Sequence, residues 1–323
     1  MEGFPEVRPV FMGAPGFGKR AAHCFNGVTL MDGSTILKLV VGALMAGSIY
    51  GILGIGYSLI YKATGLMNLA QGDFLMFGAY VGLTFFANLH LPYYIAIVLT
   101  FAVMFGIGWI VQLGFITPLL EKGAKYSYII LCTAAVALIL QNSIMFIWGV
   151  RVHYFPSIFS ITSVNIFGTK VMPESLLVLG ISIASATGLF FFMTKTRFGT
   201  AMRASAQNQK AASAMGINVS LAKGVTWGLA AGLAGVIGAA IGPIYGVYMG
   251  LGGLIGQKAF AGAVVGGYGN IYGAIVGGMF FGFLETFIAA YLTTTYKDLI
   301  SFGVLIVVLT FMPTGIFREQ VIE

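Results

Sequence analysis

Residues 65–82, GLMNLAQGDFLMFGAYVG, place Asn68, Gln71 and Asp73 inside a stretch otherwise suited to lipid, with Gly65, Gly72, Gly78 and Gly82 punctuating it. Amides and a carboxylate in hydrocarbon cost several kcal/mol each unless they find partners. Two chemistries fit. The side chains can hydrogen-bond neighbouring helices as structural glue, or they can line a polar pathway if the helix is broken near Gly72. A second run, LGGLIGQKAFAGAVVGGYGN, echoes the first: Gln71 and Phe74 recur as Gln257 and Phe260, each 186 residues later (257 − 71 and 260 − 74). Paired interrupted segments in two halves of a chain point to a pathway at a repeat interface. Glu285, in GMFFGFLETFIAAYL, is the third such residue. It either pairs with a neighbour such as Lys258 or packs protonated or hydrogen-bonded against backbone. Both options require an interior-facing position, as an anchor or as part of a gate.

No constellation for covalent or acid–base catalysis accompanies these residues. His23, His90 and His153 are scattered over loops, and no Ser/His/Asp set or acid pair has usable spacing. Cys24 and Cys132 stand apart without a CxxC or a His cluster, which argues against a structural disulfide or metal site. Gly13, Gly18 and Lys19 superficially match a phosphate-binding loop, but Arg20 stands where Ser or Thr is needed and no βαβ unit follows. The chain is expected not to be an enzyme by itself and to hold no cofactor.

The elements that must position these residues follow from composition. Of 323 residues, 58% are hydrophobic and only 8% charged, and mean hydropathy is +0.94. A soluble domain carries about 25% charged residues. Forty-six glycines and long uninterrupted apolar runs indicate closely packed helices rather than a β-barrel. The expectation is an all-α integral membrane protein of eight to ten transmembrane helices, some discontinuous, with a weak internal repeat. With about 20 residues needed per span, candidate spans fall near 36–60, 66–88, 92–116, 127–149, 174–193, 219–241, 255–273, 274–292 and 298–312. Residues 1–33 read as a disordered extension, with Met31 a candidate start. Residues 34–317 read as the transmembrane domain and 318–323 as a cytoplasmic tail. The net charge of +7 is explained by cytoplasmic loops rather than by nucleic acid.

Between Thr194 and Asn218 the chain turns polar, with Lys195, Arg197, Arg203 and Lys210 and no acid. Putting this loop on the cytoplasmic side also places Lys62, Lys122, Lys125, Lys223 and Arg318 there, against Arg151, Lys170 and Lys297 opposite. Arg8, Lys19, Arg20 and Lys38 then fall outside, and a start at Met31 removes three of the four. Residues 200–215 are rich in helix formers, and Gly216 is placed to end a helix. Phe198, Met202 and Ala206 form a small apolar stripe, and Arg203 and Lys210 share a face. Such a helix either lies on anionic membrane lipid or docks a cytoplasmic partner. Its low charge favours docking.

The runs GLMNLAQGDFLMFGAYVG, TRFGTAMRASAQNQKAASAMGIN, GLGGLIGQKAFAGAVVGGYGN and ETFIAAYL with YKDLISFGVLIVVLTFMPTGIF, in this order, resemble the LivH-type permeases of bacterial branched-chain amino acid ABC importers. The resemblance covers about 36–317. It implies an inner-membrane subunit that pairs with a second, LivM-like permease, with two cytoplasmic ATPase subunits and with an extracytoplasmic substrate-binding protein. It also implies an ATPase-coupling element formed by Arg197, Gly199, Arg203, Ala204, Asn208, Ala211 and Gly216. Two features depart from the family: Gln209 and Lys210 occupy positions where it usually has Pro and an acid, and the N-terminal extension is unusual. The expected function is import of branched-chain or other apolar amino acids. The alternatives are a urea or short-chain amide permease, a stand-alone secondary transporter with Asp73 or Glu285 as ion site, and a non-transporting scaffold.

Overall fold

The computed structural model describes residues 33–317 except 157, 160–162, 167–168, 293 and 313. The readings made for residues 1–32 and for 318–323 fall outside the described residues. A helix occupies each candidate span: α1 Gly33–Thr64, α2 Gln71–Leu83, α3 Tyr93–Val111, the short α4 Thr117–Glu121, α5 Tyr126–Ile147, α6 Pro173–Lys195, α7 Arg197–Gln207, α8 Gln209–Ala214, α9 Val219–Tyr245, α10 Leu251–Gly266, α11 Ile271–Tyr291 and α12 Lys297–Phe311. A π-helical stretch, Thr84–Asn88, extends α2, and another, Gln112–Ile116, joins α3 to α4. A small antiparallel hairpin, β1 Val164–Ile166 and β2 Thr169–Val171, precedes α6.

Among the described residues six helices are long and apolar enough to cross a membrane: Thr35–Thr64, Tyr93–Glu121, Tyr126–Ile147, Pro173–Lys195, Val219–Tyr245 and Ile271–Tyr291. The other three candidate spans hold the shorter helices α2, α10 and α12.

Helix α9 is the centre of the bundle, buried along the whole of its most apolar stretch. Its Gly- and Ala-rich sequence makes this geometry possible, because small residues let backbones approach closely. On one side α9 meets α2, where a Cβ at Gly82 would lie 2.5 Å from that of Ala239. On another it meets α3, whose Phe101 and Phe105 rings lie over Gly232 and Gly228. Helices α1 and α11 pack antiparallel, Gly47 against Met279 and Gly54 against Ala274. Side-chain caps set several helix starts. Thr196 accepts from Gly199 N, Asn218 from Leu221 N, and Asn270 from Tyr272 N and Gly273 N.

The bundle has two ends. The C-terminus of α1 and the N-terminus of α9 meet α7 at a small pocket lined by Leu59, Lys62, Met193, Met202, Arg203 and Thr226. At the other end, the segment after α5 and the C-terminus of α9 are joined by backbone hydrogen bonds between His153 and Val247.

Candidate translocation and coupling sites

The break in the first polar segment lies near Gly72, immediately before it. Helix α1 stops at Thr64, residues 65–70 are non-helical, and α2 begins at Gln71, so Gly72 stands in its first turn. Gly65, at φ +71°, makes the reversal, a conformation that favours glycine. The polar side chains then hold the broken segment to its neighbours. Asn68 Oδ1 accepts from Ala70 N at 3.0 Å, and its Nδ2 donates to Gln71 Oε1 at 3.3 Å. Gln71 Nε2 donates to the Ala230 carbonyl, mid-way along α9, at 3.0 Å. Thr133 of α5 accepts from Leu69 N. Asp73 Oδ1 accepts from Gln141 Nε2 of α5 at 2.8 Å. Asn68, Gln71 and Asp73 are all buried.

The two glycine-punctuated segments meet. Gly72 of α2 faces Gly252 and Gly256 of α10, so closely that a Cβ at Gly256 would stand 2.8 Å from Gly72 Cα. The residues matched by spacing do not share an environment. Gln71 is fully buried whereas Gln257 is exposed, and Phe74 is fully buried whereas Phe260 is only partly so.

Glu285 does pair with Lys258. The Lys258 Nζ–Glu285 Oε1 distance is 2.6 Å, and both residues are 8% exposed. The same Oε1 is 2.8 Å from Lys297 Nζ, and Oε2 accepts from Tyr50 OH at 2.5 Å. Lys258 Nζ also lies 2.9 Å from Asp298 Oδ1, a close ion pair without hydrogen-bond alignment. Two cations and two anions from α10, α11 and the start of α12 thus form a neutral cluster with a tyrosine of α1. The cost of a lone charge in the bilayer makes this pair one of the two arrangements expected of Glu285. Gln141 was open to the same logic, since it interrupts the apolar run of α5. Tyr50, Lys297 and Asp298 carried no such signal, the first because tyrosine is common in these helices, the others because they sit at a helix start.

The polar loop is not one helix over 200–215. Asn208, extended at φ −153°, separates α7 from α8 and caps α8 by accepting from Ala211 N at 3.0 Å. The shared face expected of Arg203 and Lys210 does not carry across this break. Gly216, at φ +81°, follows the last turn as expected. Of the apolar stripe only Met202 is buried, while Phe198 is half-exposed. Gly199 is buried against the last turn of α6, where a Cβ would lie 2.6 Å from Met193 Cα. Arg197, Arg203, Asn208, Ala211 and Gly216 are exposed and Ala204 partly so. Lys223 of α9 donates to Gln209 Oε1 at 2.8 Å, tying the loop to the bundle.

An apolar groove of about 150 Å³ lies between α1, α6 and α11, lined by residues including Gly47, Gly51, Ser182 and Met279, and it contains none of the pathway candidates.

Residues 39–309 match the family described as branched-chain amino acid transport system / permease component. The chain belongs to that family. This permease is 32% identical to the high-affinity branched-chain amino acid transport system permease protein LivH of Salmonella typhimurium, over 93% of this chain and 96% of that protein. It is 31% identical to the LivH of Escherichia coli K12 over the same shares. With the permease protein BraD of Pseudomonas aeruginosa it shares 31% identity over 89% of this chain and 97% of that one. No solved structure matches it. The permease is a multi-pass inner-membrane transport protein with an all-α fold.

Proposed function

We propose that this permease is the membrane-spanning subunit of an ATP-binding cassette importer for branched-chain or other apolar amino acids. ATP hydrolysis resides on two cytoplasmic ATPase subunits, a second LivM-like permease completes the membrane unit, and an extracytoplasmic binding protein delivers substrate. The chain itself then performs no catalysis. The observation that carries this reading is the α7–α8 pair. Its buried Gly199 and Met202 fix it to α6, α1 and α9, while Arg197, Arg203, Asn208, Ala211 and Gly216 are exposed, with nothing covering them among the described residues. A surface held this firmly transmits a push from a docked ATPase to the spans, provided the ATPase binds two states with different affinity. Arg197, Gly199, Arg203, Ala204, Asn208, Ala211 and Gly216 are the proposed coupling residues.

The pathway runs along the α2–α10 contact, with Asn68, Gln71, Gly72, Asp73, Gln257 and Glu285 as its pathway or gating residues. On this reading α2 with its π-helical extension, α10 and α12 also cross the membrane beside the six long helices, which would make nine spans, with α2 and α10 as the corresponding segments of a weak internal repeat. The external binding protein selects the ligand, so urea or short-chain amides remain the alternative cargo.

The test is reconstitution of the complete complex in proteoliposomes. Arg203→Glu is expected to lower ATP-driven uptake at least tenfold while leaving the thermal unfolding midpoint unchanged, since the side chain is exposed. Uptake that persists without any ATPase would overturn this reading in favour of a secondary transporter.

A further inference from the structure

Helix α10 is seated on glycine. Its Gly252 and Gly256 lie on Gly72, and its Gly262 and Gly266 lie on Gly278, Gly277 and Gly273 of α11. Backbone meets backbone at these points, and the side chains that pack on α10 are few, among them Met76 beside Gly252 and Tyr57 edge-on to Phe260. Polar contacts add to the register at three points along the helix. At the α10 C-terminus, Ile316 N and Phe317 N donate to the Val265 and Gly266 carbonyls at 2.9 and 3.0 Å. Nearer the N-terminus, Tyr57 OH donates to the Gly256 carbonyl at 3.2 Å. Mid-helix, Lys258 reaches Glu285 and Asp298.

The charge pattern is redundant. Lys258 has two carboxylates within reach, and Glu285 has two ammonium groups. The partners also differ in depth: Lys258 and Glu285 side chains are 10% exposed, Lys297 36% and Asp298 46%. Stripping a buried carboxylate of its partner is strongly unfavourable. Here Lys258 can leave Glu285 for Asp298 while Lys297 and Tyr50 keep Glu285 paired. Displacement of α10 along its seams then leaves neither charge bare.

We propose that Lys258 is a positioning residue acting as a two-place latch, exchanging between Glu285 and Asp298 as α10 shifts, with Lys297 as the substitute cation. This deepens the transport reading and rests on it for the link to uptake. The exchange itself is a property of the fold.

The experiment has two arms. In the first, Lys258→Met, Lys297→Met and the double variant are purified in detergent and their thermal unfolding midpoints compared. Redundancy predicts that the double variant loses considerably more than the sum of the two single losses, because only then does Glu285 stand without a cation. Additive losses overturn the latch. In the second arm, the variants are assayed for ATP-driven uptake within the complete complex. Lys297→Met is expected to fold with a near-normal midpoint yet take up substrate at least fivefold more slowly, because the substitute cation is missing when Lys258 departs. Lys297→Arg restores uptake. Normal uptake by Lys297→Met overturns the latch even if the first arm supports redundancy. If the unmodified complex shows no ATP-driven uptake, the proposed function falls and takes with it the latch's role in transport, while additive losses in the first arm still overturn the redundancy that the exchange requires.

Discussion

Among the described residues two carboxylates are buried inside this bundle, and the protein treats them in opposite ways. Asp73 is met by an amide, the Nε2 of Gln141, which satisfies an oxygen but brings no charge. Glu285 is met by two ammonium groups and a phenol, a shell that balances its charge and binds three helices and the start of a fourth together. A carboxylate with compensating cations is a fixture, expensive to disturb. One held by a neutral partner is cheaper to disturb and freer to change its state. Of the two, Glu285 has its charge compensated by partners within the bundle, whereas the hydrogen bond to Asp73 leaves its charge uncompensated.

Removing Glu285 should break the comparison most severely. Glu285→Leu leaves Lys258 and Lys297 facing each other in a site that lacks their shared carboxylate, and a loss of about 3–5 kcal/mol is expected, visible as a large fall in unfolding midpoint or a failure to purify. Gln141→Leu should cost less, about 1–3 kcal/mol, since it leaves one buried oxygen without its donor. If it proves as damaging as Glu285→Leu, Asp73 is as firmly charged as Glu285 and the contrast fails. Asp73→Asn should cost least, within about 1 kcal/mol, because an amide keeps the shape and one acceptor oxygen for Gln141. Its uptake kinetics sharpen the distinction. Uptake that becomes independent of a sodium or proton gradient identifies an ion site and revives the secondary-transport alternative, whereas unchanged ATP-driven uptake leaves Asp73 a structural partner of α5.

Much of this arrangement could be read from the residues alone, for identifiable reasons. Every apolar run became a helix because long hydrophobic stretches have few other ways to satisfy their backbone in a bilayer. Glu285 and Lys258 pair because neither can be left alone there, a rule that needs no knowledge of the fold. What stays open or is misread there has a different cause, local sequence that carries several equivalent signals. Gly65 and Gly72 both permit a break, and only the tertiary fit, with Gly72 required against Gly256, assigns the reversal to Gly65. Asn208 sits in an Ala-rich run that averages to strong helix propensity, yet asparagine is also a strong N-cap, and it starts a second helix there. The alignment of Gln71 with Gln257 compared spacing without facing, and one side chain points into α9 while the other is exposed.

The burial of α9 bears on how the protein is made. Its mean hydropathy over the best stretch is 1.7, against 2.3 for the run from Tyr93 to Glu121, because glycine and alanine replace larger apolar side chains. The most deeply buried of the long helices is thus among those least favoured to remain alone in lipid. Helices inserted singly associate afterwards, so α9 depends on α2 and α3, already synthesised before it, to receive it as it leaves the insertion machinery. Substitutions along its glycine face should therefore reduce the amount of protein reaching the membrane before any effect on transport can be measured.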